Sequence, residues 1–166
     1  MTGHARGPAR ASAISAADMV GAWRLVSFHD LDDAGARHEG PLGDQPRGLL
    51  CYSADGHVSV TMMRTGPAGE PAYMSYAGTW RCEGTQVVHT ITVAPVASWL
   101  GTDQVRDMEP DGDRLTLYGT ALAGPPRRRV LEWRRCRGEA DGDVAHEADR
   151  ADALGGFQSS VSAAVA

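Results

Sequence analysis

Gly21-Ala22-Trp23 opens the stretch GAWRLVSFH, residues 21–29, and this stretch decides the fold. Apolar and polar side chains alternate along it, which is typical of a strand with one buried face. Just before it, Ser15-Ala16-Ala17-Asp18 has the form of a capping box with Asp in the acidic position. We therefore predict a short N-terminal helix that leads directly into the first strand.

Strand-like runs and hairpin turns follow this stretch to the end of the core. The eight predicted strands span residues 21–30, 48–53, 57–63, 75–83, 86–94, 104–109, 114–119 and 129–137. Tight turns at 53–56, 83–85 and 110–113 join neighbouring strands, whereas the connections at 31–47 and 65–73 are longer. The pattern predicts an all-β fold, an eight-stranded antiparallel up-and-down barrel with room for one small ligand. A two-sheet sandwich is the alternative.

Length and composition predict one folded domain between two disordered ends. The chain has 166 residues and a net charge of −5. Residues 1–17 form the predicted arm, 18–137 the barrel and 138–166 a disordered or weakly helical tail, since neither end has a regular apolar pattern.

The composition also argues against several functions. All sixteen basic residues are arginines, so Schiff-base chemistry and a P-loop lysine are excluded. Cys51, Cys82 and Cys136 each fall in a predicted strand and lack paired spacing, and the histidines show no ligand spacing. We expect buried or half-buried free thiols, no metal and no cofactor. The longest basic run, Arg127–Arg129, does not suggest a nucleic-acid partner.

The N-terminal residues carry no signal peptide or membrane span, which favours a cytoplasmic protein without a membrane partner. The sequence leaves homo-oligomerisation open.

Several ordered motifs resemble the bacterial and fungal lipocalin-like domain family. The motifs are Gly21 to Ser27, Pro41-Leu42-Gly43, Pro46-Arg47-Gly48, Tyr52 to Gly56, Tyr76-Ala77-Gly78, Val87-Val88-His89, Trp99 to Arg106 and Leu131-Glu132-Trp133. The resemblance covers about residues 18–135 and implies a lipocalin-type barrel. It implies that Trp23 closes the base of the barrel, with Arg134 or Arg135 packed across its ring. Some relatives with similar barrels act on polyketide-derived substrates of secondary metabolism, so the resemblance constrains function weakly.

The fifth predicted strand supplies the candidate catalytic residue. Val87, His89, Ile91 and Val93 share one face, which is more apolar than the opposite face. We therefore expect His89 inside the barrel, either as a general acid or base or as a core histidine that bonds a neighbouring hydroxyl.

Residues near the longer connections complete the candidate ligand site. The methionine and aromatic side chains beside these connections favour a pocket, because methionine adapts to irregular ligands and aromatic groups orient them. Ordinary core packing is the alternative. An arginine inside the barrel would bind a carboxylate or enolate, whereas one on the surface would pair with Asp103, Asp107 or Glu109. The candidate ligand-binding residues are Met62, Tyr73, Tyr76, His89, Trp99, Arg106 and Trp133, and Arg64, Met63, Met74 and Trp80 lie close to them in the predicted fold.

Three functions fit this barrel. The leading hypothesis is a module that binds a small hydrophobic molecule in the interior, in a cavity above about 300 Å³ as ligand pockets usually are. The second is a cofactor-free cyclase or isomerase that holds a polyketide-type substrate in a reactive conformation in the same cavity. The third is an interaction domain with a filled core.

Overall fold

A computed structural model of the chain describes residues 15–64, 72–120 and 127–138. These residues form a short helix α1 (Ala16–Met19), a 3-10 helix (Ala97–Trp99) and nine strands. The strands are β1 (Gly21–Leu31), β2 (Arg37–Glu39), β3 (Pro46–Tyr52), β4 (His57–Arg64), β5 (Tyr73–Glu83), β6 (Gln86–Val93), β7 (Asp103–Asp111), β8 (Arg114–Thr120) and β9 (Arg128–Arg135). The eight predicted strands are confirmed to within a few residues at their ends. The short β2 lies in the connection at 31–47 and was not predicted.

The strands close into an antiparallel barrel. Consecutive strands pair from β3 to β9, and β1 pairs with both β3 and β9. The short β2 extends only the far part of β1, where His29 pairs with Glu39. The predicted eight-stranded up-and-down barrel is therefore confirmed, because the β1–β9 pairing closes the sheet as a sandwich would not.

The two ends of the barrel differ because their connections differ. The connections 53–56, 84–85 and 112–113 are tight hairpins at the end where β1 begins, which we call the closed end. The longer connections 32–45 and 94–102 lie at the opposite end, which we call the open end, and β4 and β8 also end there. Access to the interior is therefore expected at the open end.

Trp23 and α1 cover the closed end. Ser15 and Asp18 form the predicted capping box at the start of α1. The Trp23 ring is buried, and its Nε1 donates to the Met19 carbonyl over 3.0 Å. The Arg135 guanidinium lies 4.1 Å from the centre of the Trp23 ring and its Nη1 donates to the Val20 carbonyl over 2.9 Å. Arg135, of the two predicted arginines, thus packs across the tryptophan.

The face prediction for β6 holds over most of the strand. Val87, His89 and Ile91 are buried, with Val87 in the hydrophobic core and His89 on the wall of the interior cavity. Val93 was predicted on the same face, but it is 64 % exposed. A bulge explains the error: Gly78 pairs with Ile91 and Ala77 with Val93, so one extra residue of β6 reverses the alternation.

The cysteine prediction is correct for two of three residues. Cys51 and Cys82 are half-buried free thiols in β3 and β5. Cys136 is exposed, because β9 ends at Arg135 and the predicted strand extended beyond that residue.

The ends of the chain fall mostly outside the described residues. The chain divides after Cys136 into a barrel unit and a C-terminal unit, Arg137–Ala166. Of that second unit the structure describes only Arg137 and Gly138. The disorder predicted for the arm and the tail therefore stays a prediction.

Candidate ligand site in the barrel interior

A narrow cavity runs through the interior between the buried faces of the strands. The lining residues are Phe28, Leu50, Val60, Met62, Met74, Tyr76, His89, Trp99, Arg106, Leu117, Arg129, Leu131 and Trp133. The empty space between these side chains is about 540 Å³, including a part open to solvent.

The cavity has a volume of only about 30 Å³ for the centre of a water-sized sphere. One water needs about 10–15 Å³ by this measure, so the open space suits about two waters. The cavity above 300 Å³ predicted from the sequence is therefore wrong for this conformation. Side chains from eight strands fill most of the interior, and a larger ligand requires them to move.

His89 stands at the centre of a buried polar network. Its Nε2 lies 2.8 Å from the Tyr52 hydroxyl and its Nδ1 lies 2.8 Å from the Tyr76 hydroxyl. Both nitrogens are thus engaged by tyrosines. His89 and Tyr76 both line the cavity.

The network is neutral at physiological pH. Burial, together with the nearby Arg106 charge, lowers the pKa of His89 to about 3. Burial raises the pKa of Tyr76 to about 12 and raises that of Tyr52 well above its usual range. Because a neutral imidazole has one donor and one acceptor, one tyrosine donates to it and the other accepts from it.

The positively charged Arg106 side chain lies on the cavity wall. Its Nη2 donates to the Gln104 side-chain oxygen over 3.0 Å. The acids that the sequence offered as surface partners are engaged elsewhere: Asp103 pairs with Arg81, Asp107 accepts from Gln86 and Glu109 accepts from Tyr118. Among the described residues, no carboxylate lies within ion-pairing distance of Arg106.

A second arginine lies on the cavity wall toward the open end. The Arg129 Nε is 3.3 Å from the Asp30 Oδ1, and both side chains are only 12 % exposed. Arg129 also lowers the pKa of Arg106, after the larger effect of burial, which places the two cations near each other. Asp30 offsets the charge of Arg129 and leaves that of Arg106 unbalanced.

Six of the seven candidate ligand-binding residues line this cavity, namely Met62, Tyr76, His89, Trp99, Arg106 and Trp133. Trp99 reaches it from the 3-10 helix at the open end. Tyr73 does not line it, since it begins β5 on the outward face and is 61 % exposed. Arg64 also lies outside the cavity wall and donates to the Pro41 carbonyl over 3.0 Å.

Tyr52 and Arg129 were not singled out from the sequence. Tyr52 shares a strand face with Leu50, and Arg129 shares one with Leu131 and Trp133, so alternation contained a signal for both. Their partners, His89 and Asp30, lie on strands distant in sequence.

The described residues contain no group of three or more histidine, cysteine or acidic side chains placed to hold a metal ion. None of the helices in the described part of the chain has the length and apolar character needed to cross a membrane.

The sequence model of the lipocalin-like domain matches residues 20–72 and 68–136. The chain belongs to this lipocalin-like domain family. The match begins just after α1 and ends just after β9, so it spans the whole barrel. No curated protein sequence matches the chain.

Solved barrels resemble this lipocalin-like domain at low sequence identity. The wild-type fluorescent protein UnaG is 12% identical, with a TM-score of 0.40, and the match covers 74% of this chain and 100% of UnaG. A de novo designed fluorescence-activating β-barrel is 13% identical, with a TM-score of 0.38, over 70% of this chain and 93% of the design.

Proposed function

We propose that this lipocalin-like barrel binds a small hydrophobic molecule in its interior, with the Tyr76 hydroxyl as a polar contact. The buried His89 network carries the proposal. Burial of an imidazole and two hydroxyls costs free energy unless these groups are hydrogen-bonded. Apolar side chains at the same positions would fill the core without that cost, so the polar groups support a role beyond packing. The network holds Tyr76 in one position at the cavity wall.

Tyr76 keeps hydrogen-bonding capacity for a ligand in either tautomer of His89. If the Nδ1 proton is donated to Tyr76, the tyrosine keeps its own proton to donate. If Tyr76 donates to Nδ1, its oxygen keeps lone pairs to accept. A ligand hydroxyl can therefore bind in both cases, whereas a carbonyl or carboxylate oxygen binds only when His89 Nδ1 donates to Tyr76. In either case His89 acts as a positioning residue.

The apolar wall supplies the remaining affinity. Burial of apolar surface contributes about 25 cal/mol per Å². Met62 and Met74 line the narrow space and have flexible, unbranched side chains, which suits them to move aside for a ligand. Binding thus widens the cavity from its present volume.

The pKa values of His89 and Tyr76 favour binding over acid–base catalysis. A general acid or base works best with a pKa near the operating pH, whereas His89 has a pKa of about 3 and Tyr76 of about 12. The cyclase or isomerase alternative would have to rely on positioning of the substrate.

Fluorescence of N-phenyl-1-naphthylamine, a neutral apolar dye, tests the proposal. We expect enhanced emission with the wild-type protein and loss of it in Leu117→Phe, because Leu117 lines the cavity and a larger ring fills it. Val105→Phe is the matched control, since Val105 is exposed on the outer face of the barrel.

Two results would overturn the proposal. One is a wild-type protein that leaves the dye dark, which would favour the interaction domain with a filled core. The other is a folded Leu117→Phe variant, checked by its thermal midpoint, that binds the dye as tightly as the Val105→Phe control.

A further inference from the structure

We infer that the ligand of this barrel carries a carboxylate or a similar planar anion, and that Arg106 is its anchor. The inference rests on the proposed function above and adds the chemical class of the ligand. Three observations carry it: the space made for the guanidinium, the charge balance of the interior and the neighbouring polar groups.

The neighbouring strand leaves room for the Arg106 side chain. Gly119 on β8 has no side chain, and a Cβ built there would lie 1.8 Å from Nη1 and 2.6 Å from Cζ of Arg106. The guanidinium therefore occupies the place that any larger residue at 119 would take. This arrangement holds the cation at the cavity wall, where Arg106 is a lining residue.

Among the described residues, the charged groups on the cavity wall and in contact with it do not balance. Arg106 and Arg129 contribute two positive charges, and Asp30 contributes one negative charge through its pair with Arg129. The other polar groups, His89 with Tyr52 and Tyr76, are neutral. One positive charge remains, at Arg106, whose side chain donates to a neutral amide oxygen of Gln104.

A half-buried cation without an anion is costly, and a ligand anion would supply the missing partner. The guanidinium is planar and presents paired donors that match the two oxygens of a carboxylate. Arg106, Tyr76 and His89 all line this cavity. The anion would thus meet a guanidinium and a hydroxyl at one point of an otherwise apolar wall.

Competition against N-phenyl-1-naphthylamine tests the inference with two probes of the same chain length, octanoate and 1-octanol. An apolar cavity without a cationic anchor prefers the alcohol. We expect octanoate to displace the dye from the wild-type protein at a concentration at least about tenfold lower than octanol does, the effect of one charge-assisted hydrogen bond.

Arg106→Met should abolish this preference while octanol still displaces the dye. Arg81→Met is the matched control, because it removes one positive charge from the outer face, where Arg81 pairs with Glu83 and Asp103. The control should keep the preference for octanoate.

Gly119→Ala is a second variant, which keeps the charge of Arg106 but displaces its guanidinium. The added Cβ forces the end of the Arg106 side chain away, and the preference should fall as in Arg106→Met. Equal displacement by octanoate and octanol in the wild type would overturn the inference, as would a preference that survives Arg106→Met. Absence of dye binding to the wild type would instead overturn the proposed function and remove this inference with it.

Discussion

His89 and Arg106, two inward-facing polar residues on neighbouring strands, differ in the partners that the protein offers them. His89 is satisfied by Tyr52 and Tyr76 within the protein, whereas Arg106 has only a neutral partner among the described residues. A fully hydrogen-bonded network stabilises one arrangement of the core, whereas a cation without a counter-charge costs free energy. In the proposed binding site, His89 would position Tyr76 and Arg106 would bind the ligand anion.

His89→Gln should make the stability of the protein less sensitive to acid. The pKa of His89 is about 3 in the folded state, whereas the ordinary value for a histidine is 6.5. Only the unfolded state therefore gains a proton at this residue as the pH falls below 6.5. The wild type should lose about 2 kcal/mol of unfolding free energy between about pH 6.5 and pH 5 through this residue. The variant should not.

Denaturant unfolding at about pH 7.5 and about pH 5 measures the difference between the two proteins. The pKa of His29 is also lowered by burial, but His29 is present in both proteins and cancels. Parallel losses of stability in the wild type and in His89→Gln would show that folded His89 takes up a proton in this range.

The elements explain why the barrel is closed at one end only. Three tight hairpins bring strands together at the closed end, and α1 carries its capping box to the start of β1. Trp23 then packs between α1 and the end of β9, under Arg135. The longer connections at the open end place Trp99 beside the cavity.

Trp23→Ala should therefore destabilise the whole barrel. Its ring is 3 % exposed, and truncation of a buried tryptophan costs about 3–5 kcal/mol. The loss also removes the hydrogen bond to Met19 and the ring beneath Arg135. Denaturant unfolding measures it, with Trp99→Ala as the control, since Trp99 is half-buried in a connection and should cost less. Equal costs for the two variants would contradict the role of Trp23 at the closed end.

For the whole molecule, the barrel between α1 and β9 should fold without the ends of the chain. The family match covers residues 20–136, and the flanking sequences lack the apolar periodicity that a packed element needs. Removal of residues 1–14 and 140–166 should leave the thermal midpoint nearly unchanged, as measured by circular dichroism. A fall of many degrees would show that the ends contribute to the fold.

The sequence by itself determined the barrel and much of its interior. Turn residues and period-two alternation act over a few residues, so they located the eight strands, the hairpins of the closed end and the inward face of His89. The same reasoning found six residues of the cavity wall. It missed β2, whose three residues are too few to show a pattern.

Only the tertiary structure decided what depends on residues distant in the chain. The bulge opposite Gly78 turned Val93 outward, although local alternation pointed inward. The volume of the cavity depends on how side chains from eight strands pack together, which no single strand records. Asp30 pairs with Arg129 because closure of the sheet brings β1 beside β9, and among the described residues no acidic side chain pairs with Arg106.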